Sequence, residues 1–277
     1  MLWGYKNPTK GRCRTTKAKM IFNFARTSKQ AQNEPSSAPI FCDENGFGPK
    51  QGIHYRPADL NRLNARFKVF MEPFKADFAG VRVLDLASHD GRWSYAALSL
   101  GAAHVTGIEA RPELIEKGKH LFARDDLRKR VEFLVGDIFD AMPRLLERGE
   151  QFDVVLCLGI FYHVMDHFRL LKLIHDFKPK LVIVDSGMIN NEKPFISLRT
   201  ERSDHFLNAI PVGTQPESVI GFVSTGGFKM MARSLGFDVE FLDWNPAKFD
   251  NHANLHDYFK EGGDKARRFS AVLRQAL

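Results

Sequence analysis

Four short stretches hold residues whose types and spacing could do chemistry: Asp85-Leu86-Ala87-Ser88-His89-Asp90-Gly91, Glu109, Gly136-Asp137-Ile138 and Leu158-Gly159-Ile160-Phe161-Tyr162-His163. Each follows a short run rich in β-branched or apolar residues, so each falls where a strand gives way to a turn. A carboxylate such as Glu109 can accept two hydrogen bonds from a vicinal diol. Asp137 can accept from an exocyclic amine. The turn Ser88–Gly91 lets backbone approach a ligand, because Gly91 tolerates dihedrals that other residues avoid. His163 could take a proton from a bound hydroxyl or amine.

The elements that must position these residues follow from hydrophobic period. Apolar residues at Leu60, Leu63, Phe67, Phe70 and Phe74 predict an amphipathic helix that begins near Pro57. Strands are expected at 81–86, 104–109, 131–137, 152–158 and 180–185, with helices to residue 100 and at 112–123, 142–146 and 164–177. A further helix at 226–235 and strands at 237–242 and 269–273 complete the pattern. Strand and helix alternate at about 25 residues, which predicts a doubly wound, mostly parallel, seven-stranded α/β sheet of the Rossmann-like kind. In such sheets ligands bind beyond the carboxyl ends of the strands, where the three acids and the small-residue turn would share one rim. Residues 187–224 read as a loop-rich cap over that rim, with Arg199, Arg202, Asp204 and His205 as candidate substrate contacts.

The turn after the first strand lacks the GxGxxG glycines that would aim backbone amides at a pyrophosphate, and it carries Asp90 where a diphosphate would be repelled. An acidic turn suits a ligand with a cationic end instead. The run Val83 to Gly91 resembles the first motif of the class I S-adenosylmethionine-dependent methyltransferases. Glu109 resembles their ribose-binding acid, Gly136-Asp137-Ile138 their adenine-contacting segment, and Phe152-Asp153-Val154-Val155 with Tyr162-His163 their fourth motif. Ala87 and His89 stand where many members have glycines. Ser88, Asp90, Gly91 and Trp93 are similar to a subgroup, the tRNA wobble-uridine methyltransferase-like enzymes. The resemblance covers about residues 55–243. It implies S-adenosylmethionine as cofactor, with Asp85, Ser88, Asp90, Gly91, Glu109, Asp137, Ile138 and Leu158 around it, and His163 as candidate base. The methyl acceptor is expected to be an oxygen or nitrogen of a small molecule or sugar. A tRNA-modifying transferase and a non-catalytic cofactor-binding protein are the alternatives.

The net charge of +7 is local: residues 1–30 hold eight Lys and Arg and no acid, which leaves the rest at −1. Global basicity is therefore no argument for a nucleic-acid surface on the enzyme. Residues 1–54 are expected to be a basic, disordered tail, or an organellar targeting segment, with the catalytic domain over 55–277. No apolar run approaches the ~20 residues of a membrane span. Cys13, Cys42 and Cys157 show no metal or disulfide spacing, so a cytoplasmic setting is expected. His163, Asp166 and His167 could share a helix face, but too few ligands are placed for a metal, and none is expected. The sequence carries no signal for an oligomeric state.

Overall fold

A computed structural model describes residues 39–48, 55–205, 208–211, 214–260 and 265–276. In chain order the elements are α1 (Pro57–Phe70), α2 (Lys75–Phe78), β1 (Arg82–Leu86), α3 (Arg92–Ser99), β2 (His104–Glu109), α4 (Pro112–Gly118), α5 (Asp125–Arg128), β3 (Val131–Val135), α6 (Ile138–Glu147), β4 (Val154–Leu158), α7 (His167–Asp176), β5 (Leu181–Ile189), β6 (Ile196–Arg202), β7 (Glu217–Val223), α8 (Thr225–Ser234), β8 (Phe237–Phe241), α9 (His256–Phe259) and β9 (Ala266–Gln275). Seven strands pair in the order β3-β2-β1-β4-β5-β9-β8, and β9 alone in that sheet runs antiparallel to its neighbours. This is the expected doubly wound, mostly parallel sheet. The chain steps outward from β1 to β3, then returns to lay β4 on the other side of β1. A crevice opens where the order reverses, at the carboxyl ends of β1 and β4.

Every residue of β4 is buried, as its apolar run requires of a central strand. Its side chains alternate between two cores. Val155 and Cys157 join α6, α7 and α8 on one face, while Val154, Leu156 and Leu158 join α1 and α3 on the other. Each fully buried Val, Leu or Phe contributes roughly 1.5–3 kcal/mol to the fold.

Four expectations need correction. The domain does not begin at residue 55. Phe41 and Phe47 are fully buried against Trp93 and Tyr95, and Asn64 brackets Phe41 by accepting from its N–H (3.0 Å) and donating to its carbonyl (2.8 Å). The polar, Pro-containing text around these two rings masked them. The expected tail lies outside the described residues as far as position 38. The first helix stops at Phe70, because Pro73 cannot continue it and sits instead in a short 3-10 turn, Glu72–Phe74. Helix α6 starts four residues earlier than expected and contains Pro143. The carbonyl of Phe139, which that proline cannot reach with an N–H, is approached by Arg169 Nη2 at 3.5 Å. Finally, 187–224 is not simply loop. β5 runs on to Ile189, and β6 pairs antiparallel with β7 from Ile196↔Val223 to Arg202↔Glu217. Among the described residues no helix is long and apolar enough to cross a membrane.

Phe47 has no exposed surface and packs edge-on to Tyr95. Phe47→Ala is expected to lower the free energy of unfolding by about 3–5 kcal/mol, read by denaturant titration. A loss under 1 kcal/mol would show that this segment is not part of the folded core.

Candidate functional site

The chain leaves β1 through a turn that folds back on itself. Ala87, His89 and Gly91 all have positive φ, at 52°, 57° and 76°. The two non-glycine residues thus adopt the left-handed conformation that glycine takes freely, at a cost of roughly 1–2 kcal/mol each. The turn keeps a glycine-type backbone although Ala87 and His89 replace glycines of the resembling family. Hydrogen bonds from Ser88 N–H to Ile108 O and from Gly91 N–H to Ser88 O, both 2.9 Å, hold it. No larger residue fits at Gly91: an added Cβ would lie 2.7 Å from Phe133 and 2.8 Å from Phe122.

Glu109 ends β2 only 5% exposed, yet it faces the cleft. Its Oε2 accepts from His89 N–H (2.8 Å) and its Oε1 from Arg111 N–H (2.9 Å). Each oxygen retains a second lone pair, which suits a carboxylate that receives two vicinal hydroxyls. Asp137 caps α6 by accepting from Phe139 N–H at 2.7 Å, and it too lines the cleft, with Gly136 and Ile138. Leu158 and Ile138 add apolar wall. The cleft has a volume of about 1470 Å³, ample for a nucleoside and a second small molecule.

The rest of the β1 turn behaves differently from expectation. Asp90 lines the cleft, but its charge is already matched: Arg92 donates from Nε (2.6 Å) and Nη2 (2.8 Å), and the Tyr55 hydroxyl donates too. Burial pushes its carboxyl up, but the Arg92 charge and neighbouring His89 hold it well below the usual range. It is therefore not the open negative charge expected there. Asp85, Ser88 and Gly91 do not line the cleft. Asp85 is buried beneath the turn and accepts from Ser94 Oγ of α3 at 2.7 Å. The Ser88 hydroxyl is buried with no partner among the described residues.

His163 closes a 3-10 turn, Phe161–His163, after β4. Its Nδ1 lies 2.5 Å from Glu201 Oε1, which also accepts from Ala209 N–H at 2.6 Å. A carboxylate only accepts, so Nδ1 carries the proton and Nε2 keeps its lone pair. Burial, with the charges of Arg268 and Arg111, lowers the ring's affinity for a second proton; Glu201 opposes this. Tyr162 packs on the ring with centroids 3.9 Å apart. The imidazole thus lines the cleft with Nδ1 held by Glu201.

His167 does not join it. That ring is buried and bonds Gly221 O at 2.9 Å. Arg199, Arg202, Asp204 and His205 do not line the cleft either; Asn208, Ala209, Ile210 and Gln215, with Glu217–Val219 of β7, do. Sequence reasoning missed Tyr55, Arg62, Arg66, Glu201 and Arg268. For Arg62 and Arg66 a signal existed, since a spacing of four places both on one face of α1.

Residues 77–215 match a family model described as a methyltransferase domain. The chain is 30% identical over 209 residues to the ubiquinone biosynthesis O-methyltransferase of Pseudomonas syringae pv. tomato, covering 73% of this chain and 81% of that protein. It is 27% identical over 168 residues to the protein of the same name from Neisseria meningitidis serogroup C, covering 59% of this chain and 66% of that relative. The N-terminal domain of EvdMO1, crystallised with SAH and D-fucose, shares the fold: TM-score 0.52, 18% identity, 80% of this chain and 84% of that one. Glu109, Asp137, Ile138 and Leu158 line one wall of the cleft.

Asp85 provides a test of the turn's electrostatics. Burial, then the negative charges of Glu109 and Asp90, push its carboxyl up to about 7 against the hydrogen bonds from Ser94. The folded chain therefore holds a proton that an unfolded Asp releases near pH 4. Its stabilising contribution is complete below about pH 4 and is lost as pH rises to about 7. Asp85→Asn is expected to flatten this part of the stability profile between pH 4 and 7, measured by denaturant titration at a series of pH values. A profile parallel to that of the parent protein would refute the shift.

Proposed function

As this chain belongs to the class I S-adenosylmethionine-dependent methyltransferases, we propose that it methylates a hydroxyl oxygen of a small molecule, with His163 as the base. The observation that carries this reading is the Glu201–His163 pair, set at the end of β4 in the same cleft as Glu109. S-adenosylmethionine, when bound, supplies the electrophilic methyl group. Glu109 holds the ribose hydroxyls, Asp137 accepts from the adenine amine, and Ile138 and Leu158 flank the purine. Nε2 of His163 takes the acceptor's proton, and Glu201 stabilises the imidazolium that results. The names of the Pseudomonas and Neisseria relatives support an oxygen acceptor.

The deciding experiment follows release of the demethylated nucleoside from the full chain against a panel of phenols, aliphatic alcohols, amines and unmodified tRNA. Turnover with a hydroxyl compound supports the proposal. Turnover confined to tRNA, or none with any acceptor, overturns it.

Two substitutions separate binding from chemistry. Glu109→Ala removes charge-assisted bonds of about 1.5–3 kcal/mol and should weaken S-adenosylhomocysteine binding about 10- to 150-fold by calorimetry. His163→Ala should lower kcat about 10²- to 10⁴-fold while nucleoside affinity stays within about twofold. Glu201→Gln, which no longer stabilises the imidazolium, should lower kcat less and move the acid limb of the pH–rate profile. An unchanged kcat in His163→Ala would remove the base from the scheme.

A further inference from the structure

Beyond the nucleoside wall, the part of the cleft under β4, β5 and β9 is built differently. Asp185 of β5 has no exposed surface. It accepts from Arg66 Nη2 of α1 (2.7 Å), Arg268 Nε of β9 (2.9 Å), the Ser270 hydroxyl (2.7 Å) and the Tyr258 hydroxyl (3.0 and 3.1 Å). Two guanidinium groups therefore share one carboxylate. The neighbouring acids are taken: Asp257 by Arg62 (2.6 and 2.7 Å), Asp59 by Arg56 and Asp90 by Arg92. Glu201 Oε1 is occupied by His163 and Ala209.

The sharing leaves donors over. Arg268 bonds the protein only through Nε, so Nη1 and Nη2 have no acceptor among the described residues. Arg66 bonds only through Nη2, and its Nε is buried without a partner. Side chains of both residues are nine-tenths buried or nearly so, at 10% and 13% exposure, and both line the cleft. Burying a guanidinium with unmatched N–H groups is costly unless an acceptor arrives.

Position fixes what that acceptor belongs to. Gly159, the first residue after β4, has a φ of 101°, and an added Cβ there would lie 3.3 Å from Arg268 Nη2. That nitrogen thus lies against the turn leading to His163. The Arg268 guanidinium is 5.8 Å from the ring of Tyr162, which packs on His163. Glu109 ends β2 and Asp137 follows β3, on the other side of β1.

We infer that Arg268 and Arg66 form a subsite for an anionic oxygen group, a carboxylate or a phosphate, carried by the methyl acceptor close to the oxygen that His163 serves. The forked guanidinium matches the two oxygens of such a group, and Asp185 holds the forks in place. The inference deepens the acceptor reading above and rests on it.

The test is calorimetric titration of the full chain, saturated with S-adenosylhomocysteine in phosphate-free buffer. The probes are para-hydroxybenzoate, its neutral methyl ester and phenyl phosphate. One of the two anions should bind about tenfold or more tightly than the ester, and which one identifies the group. Arg268→Met should abolish the preference, and Arg66→Met should reduce it, with S-adenosylhomocysteine affinity within about twofold of the parent. Arg268→Lys keeps a charge beside Asp185 but loses the fork, and should lose most of the preference while melting like the parent, so it serves if the Met variant fails to fold. Equal binding of ester and anions by the parent overturns the inference. So does a tenfold loss of nucleoside affinity in Arg268→Lys or Arg66→Met, which would assign the arginines to the cofactor's own carboxylate. Arginine-dependent anion binding without methylation of any acceptor would leave the subsite standing and remove the proposed reaction.

Discussion

The Glu109 carboxylate ties together the parts on which the cleft depends. It ends β2, yet its two oxygens are taken by the amide of His89 in the turn after β1 and by its own neighbour, Arg111. Those bonds offset the left-handed conformation at Ala87 and His89, which neither side chain favours. They also hold the carboxylate, whose oxygens each keep a second lone pair, at the wall of the cleft. One buried acid therefore holds the backbone of the turn and keeps acceptor capacity in the cleft. A residue with both duties is hard to replace: glutamine keeps the size but offers one acceptor oxygen and a donor.

The same economy explains why the turn can hold three acids near one another. Asp85, Asp90 and Glu109 repel, and the structure resolves the repulsion in three ways. Burial and the neighbouring charges raise the proton affinity of Asp85. Asp90 is matched by Arg92 and capped by Tyr55. Glu109 is stabilised by amide dipoles. Only the last leaves acceptor capacity facing the cleft, so a turn that reads as acidic presents little net negative charge there.

Much of the fold was legible because strand alternation and apolar period are local properties. The acids at strand ends were legible for a related reason, since the topology of a parallel sheet fixes where strand ends converge. Where a side chain points was not legible. Asp85 and Glu109 both stand at strand ends, but Asp85 turns under the loop and Glu109 faces the cleft. Partnerships across long separations were also hidden. Glu201 meets His163 only because β6 and β7 form a ribbon, in a stretch whose prolines and glycines read as loop. Arg268 meets Asp185 because β9 returns to pair with β5. Phe41 and Phe47 lie in polar text, and only the packing against Trp93 and Tyr95 shows that they belong to the core.

The two sides of the cleft follow from the order of strands. On the β2 side the cleft presents carboxylates and main-chain amides, which suit a nucleoside rich in donors and hydroxyls. On the β4 side it presents an imidazole and two incompletely matched guanidiniums, where we place the methyl acceptor. Arg268 also lowers the proton affinity of His163, with Arg111 and burial. In the proposed reaction, an anion bound to Arg268 would screen that charge and raise the basicity of Nε2. Binding of an anionic acceptor would thus strengthen the base at the moment it is needed, whereas a neutral acceptor would meet a weaker one. In the proposed reaction, recognition and reactivity would be coupled through a single guanidinium.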